Sequence, residues 1–140
     1  MSIDVRDLTG TVAGKSDEEL LLAISATEGG VDGVLEGMFQ LMVERFDAEA
    51  AKGQSATVGY RIDTPEGARD YTLTIADGAC TYRAEEAVSP KLGTALQLLD
   101  FLRIGAKEME PPEAFFAGRM QMSGDLMFAR KMTMWFPEDD

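Results

Sequence analysis

The sequence predicts an α+β fold, an antiparallel sheet with helices gathered on one face. Three observations carry that reading. Val31 to Phe46 holds apolar residues at helical spacing. Residues 56–83 hold three alternating runs joined by two turns. Pro111 to Phe136 reads as helix, strand, helix, with more apolar surface than so short a segment can hide by itself. At 140 residues the chain is most simply one domain with one core.

Residues 1–15 are polar with mixed signs and two glycines, and read as a flexible N-terminal arm. Ser16-Asp17-Glu18-Glu19 is a capping-box signature ahead of Leu20 to Ile24, which predicts a helix from Ser16 to about Thr27. Its apolar side packs either on the domain or on a second copy in a homodimer. In the next helix Val31, Val34, Leu35, Met38, Met42 and Phe46 share one face, widened by Phe39, Leu41 and Val43. Gly33 and Gly37, four apart, either allow close approach of a neighbour or weaken the helix by about 1 kcal/mol each.

Ala56, Val58, Tyr60 and Ile62 alternate with polar residues, as in a strand with one buried face. Tyr71, Leu73 and Ile75 repeat the pattern after the turn Pro65-Glu66-Gly67, and Cys80 and Tyr82 repeat it after Asp77-Gly78. The result is a meander, apolar on one side. Pro90 allows only a short edge or broken strand between Glu85 and Gly93. Thr94 with Gln97 is read as the cap of a helix from Ala95 to about Ile104. Pro111-Pro112 suits a helix start and Gly118 its close. Arg119 to Ser123 alternates as a strand, and Asp125 caps a last helix that carries Arg130-Lys131 toward its end. Residues 16–136 form a single unit, and 137–140 are an acidic tail.

The net charge is −12. Nucleic-acid binding needs clustered Lys/Arg, so no nucleic-acid partner is expected. The acidity also opposes attraction to anionic membranes, and no run is apolar enough for stable membrane insertion. The start, MSIDVRDLTG, has no signal-peptide layout, and the end, Pro-Glu-Asp-Asp, has no peroxisomal address, so a cytoplasmic, bacterial-type protein is expected. The single Cys80 cannot form an internal disulfide. With no histidine, the Ser-His and Cys-His nucleophiles and imidazole metal ligands are excluded. No cofactor and no metal site are expected; the acidic clusters at 17–19 and 138–140 lack calcium-loop spacing.

Asp100-Phe101-Leu102, Pro112, Ala114-Phe115-Phe116, Gly118-Arg119-Met120 and Gly124-Asp125-Leu126 resemble, in order and spacing, the C-terminal half of the sterol carrier protein type 2 domain. The resemblance implies a five-stranded, antiparallel-rich sheet with helices over its apolar face and a lipid tunnel between the layers. The implied partner is a lipid ligand: a sterol, a fatty acid or a fatty acyl-CoA. The expected walls are Tyr60, Ile62, Tyr71, Leu73, Ile75, Tyr82, Met120 and Met122 on the sheet. Facing them are Met38, Met42, Leu98, Phe101, Leu102, Phe115, Phe116, Met127 and Met132. For each of these the sequence leaves open whether it faces a tunnel or is sealed in core. Methionine suits either role, because its unbranched chain adapts to varied apolar shapes. Met132 to Phe136 is the candidate lid or, alternatively, a fixed plug. Arg119 and Arg130 are the candidates to hold a head group.

A catalytic reading has few residues to use. Tyr60, Tyr71 and Tyr82 with Asp100 or Asp125 are the candidate oxyanion donors and bases for a steroid-like substrate. Asp125 is explained as a cap, and Asp100 is read as lying on the exposed side of its helix. The expectation is therefore a non-enzymatic carrier with no catalytic residues. The alternative is a protein-interaction module with a filled core.

Overall fold

The structure, a computed structural model, describes residues 2–136. The expectation of a loose arm over residues 1–15 does not hold. Val5–Asp7 is a 3-10 turn and Leu8–Thr11 a short helix, α1. Asp4 and Asp7 cap them by accepting from the backbone N–H of Arg6 and Gly10. Ile3, Leu8 and Val12 are buried in the main core. Helix α2 (Asp17–Ser25) starts at the expected capping box, with Ser16 and Glu19 bonded reciprocally at 3.1 and 3.0 Å. It turns Leu20, Ala23 and Ile24 into the same chain's core.

Helix α3 (Gly30–Arg45) buries Val34, Leu35, Met38 and Phe39. Gly37 has a steric role here. A Cβ at this position would stand 3.1 Å from Val5 Cγ2, so the glycine lets the N-terminal segment lie against α3.

Strands β1 (Ala56–Thr64), β2 (Gly67–Ala76) and β3 (Ala79–Arg83) form the expected meander. Asp77 and Gly78 both take positive φ, as a tight hairpin turn requires. Strand β4 (Leu92–Gln97) runs parallel to β1, and β5 (Met120–Gly124) pairs antiparallel with β4. The sheet is therefore mixed, in the order β3-β2-β1-β4-β5.

The β4 region corrects the sequence reading twice. Glu85 to Gly93 is no edge strand. Residues 84–91 cross the outer face of the sheet, and the fourth strand begins at Leu92, between β1 and β5. The crossing is fitted to the sheet: Thr72 Oγ1 donates to the Glu85 carbonyl at 2.8 Å and is buried beneath the segment. Helix α4 (Leu98–Gly105) also begins three residues later than Ala95. Leu92 and Leu96 supply the alternating buried positions of a strand, and the chain turns helical only after Gln97, so Thr94 is a strand residue.

Helix α5 (Pro111–Phe116) ends ahead of Gly118, which has φ +76°. Asp125 caps α6 (Leu126–Met132) by accepting from Phe128 N–H at 3.0 Å, and a 3-10 turn, Thr133–Trp135, follows. The acidic tail at 137–140 lies outside the described residues. Two apolar clusters form between helices and sheet. One gathers α1 to α4 around Ile62, Tyr71 and Leu96. The other joins Val58, Leu73, Ile75 and Leu92 to Phe128, Met132 and Trp135.

Candidate functional site

Alternation along the strands sends one set of side chains toward the helices. Register places Met122, Thr94, Tyr60 and Tyr71 in one row across β5, β4, β1 and β2. Phe39 of α3 fills the centre above this row. It stacks on Tyr71 at 4.4 Å and meets Tyr60 edge-on at 5.2 Å, with Phe101 of α4 at 5.7 Å. These are favourable offset-stacked and edge-to-face contacts.

The two apolar clusters do not merge into one sealed core. Met42, Tyr60, Tyr82 and Met122 pack against both of them and are only half-buried. Burial pushes the Tyr60 hydroxyl above the ordinary tyrosine range, with a smaller upward push from Cys80. Among the described residues that hydroxyl has no hydrogen-bond partner, yet it is not among the atoms the fold seals off. The same holds for Thr94 Oγ1 on the neighbouring strand.

The other two inward tyrosines differ. Tyr82 donates to Glu36 Oε2 at 2.7 Å, and that bond, with burial, pushes its hydroxyl up to about 12. Tyr71 is pushed up to about 12 by burial first and then by the Glu36 and Asp32 carboxylates of α3.

The family model for the SCP-2 sterol transfer family matches residues 35–137. The chain belongs to this family. Among curated proteins none matches. Solved structures share the sterol-carrier fold. A sec-alkylsulfatase from Pseudomonas sp. superposes with a TM-score of 0.67 at 20% identity over 76% of this chain, which spans only 17% of that enzyme. The sterol carrier protein 2-like 2 from Aedes aegypti gives 0.60 at 20% identity, covering 74% of this chain and 94% of that one. Its palmitated form in solution gives 0.52 at 20% identity, with 71% and 94% covered.

Two residues of the sterol-carrier pattern meet in space. Asp100 of α4 accepts from Arg119 Nη1 at 3.0 Å, just ahead of β5. This corrects the reading of Asp100 as exposed: its residue is 8% accessible, and the ion pair is what permits its burial. The same bond commits Arg119, whereas Arg130 is exposed on α6.

Of the expected wall residues, Met38, Ile62, Leu73, Ile75, Leu98, Leu102, Met120 and Met132 are buried. Met42, Tyr60, Tyr82, Phe101, Phe115 and Met122 are half-buried. Two expectations fail. Phe116 is 85% exposed and Met127 66% exposed, because each falls on the outer side of a short helix whose inner side is taken by Ala114 or by Phe128 and Met132. Sequence reasoning does not put three positions in the wall: Phe39, read as widening the face of its helix; Thr94, read as a helix cap; and Trp135, read as part of the lid or plug. Phe39 sits four residues after Leu35, a helical repeat that marks it. Trp135 is buried edge-on against Phe128 at 5.3 Å, and its carbonyl accepts from Asp47 N–H at 2.7 Å.

Two hollows open to the surface. A groove of about 460 Å³ runs over the outer face of the sheet beside the 84–91 crossing; Gly59, Arg61, Glu86 and Gln121 line it, and so do parts of Tyr60, Thr94 and Met122. A second, of about 450 Å³, is lined mainly by charged residues including Asp17, Arg103 and Glu113. Neither offers the apolar lining that the inner face has. Among the described residues no helix is long and apolar enough to cross a membrane.

Proposed function

We propose that this chain is a non-enzymatic carrier of an apolar lipid, held between the sheet and the helices around Tyr60. Membership of the SCP-2 sterol transfer family supports lipid binding, and the palmitated relative supports an acyl chain as one cargo. The observation that carries the reading is the Tyr60 hydroxyl. A half-buried polar atom with no partner on an otherwise apolar face is what an interior left for a ligand would present. Half-buried Met42 and Met122 flank it, and flexible methionines suit a site whose contents vary.

The physics of uptake is desolvation. Each methylene buried contributes roughly 0.8 kcal/mol, so ten give roughly 8 kcal/mol before ordering costs, enough for micromolar binding. The wall residues that stay inside, from Met38 to Met132, are the proposed contacts. Helix α6 and the 3-10 turn after it form the proposed lid, because they are short and pack on the rest of the fold chiefly through Phe128, Met132 and Trp135. Trp135 reports on that lid. Titration with palmitic acid should shift its fluorescence saturably at one lipid per chain. No shift and no binding with palmitic acid, palmitoyl-CoA and cholesterol would contradict the carrier reading.

A protein-interaction module is the second reading. Exposed Leu22 and Phe116, at 67% and 85% accessible, favour it. A catalytic reading has less support: Asp100 is committed to Arg119 and Tyr82 to Glu36, which leaves Tyr60 without a paired base.

A further inference from the structure

The inner face of the sheet is apolar at nearly every position: Val58, Ile62, Leu73, Ile75, Leu92 and Leu96. Tyr60 and Thr94 break that pattern side by side, as register partners on β1 and β4. If this row had only to fill space, phenylalanine and valine would do it without setting two unpartnered hydroxyls on an apolar face. Tyr82 has Glu36 at the rim, and Tyr71 lies within the influence of the same carboxylate. Tyr60 has neither, and no hydrogen-bond partner among the described residues answers it or Thr94 Oγ1.

We propose that the interior site selects a cargo with an oxygen part-way along an apolar skeleton, a hydroxyl or keto group, and that Tyr60 and Thr94 recognise that oxygen. The inference rests on the carrier reading and names the cargo class for the same site. The neutral tyrosine hydroxyl donates to the cargo oxygen. A cargo hydroxyl can in turn donate to Thr94 Oγ1, whereas a ketone only accepts. A plain saturated chain satisfies neither group.

The experiment is a native mass spectrometry titration of the whole chain and of Tyr60→Phe and Thr94→Val. The probes are stearic acid, a positional series of hydroxystearic acids, a ketostearic acid and cholesterol. At least one hydroxystearic isomer should bind the wild type roughly fivefold to tenfold tighter than stearic acid, the worth of one hydrogen bond in an apolar site. Tyr60→Phe should erase that gain, bringing the ratio of hydroxystearic to stearic acid affinity to about one. Thr94→Val should weaken the hydroxy isomer and spare the ketone. A loss in Tyr60→Phe confined to cholesterol would assign the same oxygen to a sterol skeleton. The inference is overturned if stearic acid binds and no oxygenated lipid is preferred, a ratio the wild type alone decides, or if the preference survives in Tyr60→Phe. Binding of none of these lipids would overturn the carrier reading itself, and the inference with it.

Discussion

Phe39 lies on Tyr71 with ring centroids 4.4 Å apart and planes 13° from parallel. This contact ties α3 to the middle of the sheet, and Tyr60, Tyr82 and Phe101 gather around the same ring. Phe39→Ala should therefore cost about 3–5 kcal/mol of unfolding free energy, by denaturant titration. For a domain with roughly 5–15 kcal/mol in all, that is a large share. A loss below about 1 kcal/mol would mean that the ring is not the centre of the packing.

The crossing from β3 to β4 depends on a missing side chain. A Cβ at Gly59 would stand 3.1 Å from Ala87 Cβ and 3.4 Å from Pro90 Cγ. Gly59→Val should lift residues 84–91 from the sheet and cost about 1–3 kcal/mol. Hydrogen exchange should rise in 84–91 and around Thr72, which holds the Glu85 carbonyl, and stay unchanged in α2. Uniform exchange across the chain would contradict this.

Asp100 and Arg119 form an unequal pair. The Asp100 side chain is 11% exposed and that of Arg119 57%. Removing the arginine strands a nearly buried carboxylate, whereas Asp100→Asn leaves the guanidinium in water. Arg119→Ala should thus destabilise more than Asp100→Asn, the first by about 1–3 kcal/mol. Equal or reversed losses would show that the pair carries little.

Alkaline pH gives a signed test. Burial pushes the Cys80 thiol up to about 11 from its ordinary 9.0. The unfolded chain then loses this proton at lower pH than the folded one. The thiol's contribution to stability is fully present below pH 9.0 and is lost as pH rises toward about 11. Tyr71 and Tyr82, each pushed up to about 12 from 10.0, extend the decline to higher pH. Unfolding free energy should fall across this range, and Cys80→Ala should flatten the first part of the fall. The native thiol should also resist Ellman's reagent at neutral pH. Fast labelling of the native protein would refute the burial.

The meander, α2, α3 and the helix-strand-helix ending are legible in the sequence because each carries its own period and punctuation. Ser16, Asp77-Gly78, Gly118 and Asp125 mark their boundaries by local chemistry. The β4 region is not legible in that way. Thr94 to Gln97 fits both a strand and a helix cap, and the choice is made by pairing with β1, a contact far away in sequence. The N-terminal segment hides for a similar reason. Ile3, Leu8 and Val12 are too few to give a period, and the segment packs where Gly37 leaves room for Val5 and Gly105 for Leu8. The inward face of the sheet is readable from strand alternation, whereas Phe116 and Met127 show that a short apolar helix does not reveal which side faces in. Nothing in the sequence marks Tyr60 as different from Tyr71 and Tyr82; only the placement of Glu36 beside the other two does that.

The most direct measurement is native mass spectrometry of the purified protein before and after extraction with organic solvent. A lipid carrier should show an adduct of lipid mass, one per chain, that disappears on extraction and returns when the extract is added back. A bare chain mass at high concentration, with no shift on adding palmitic acid, palmitoyl-CoA or cholesterol, would contradict the carrier function and leave the sterol-carrier fold serving a protein partner.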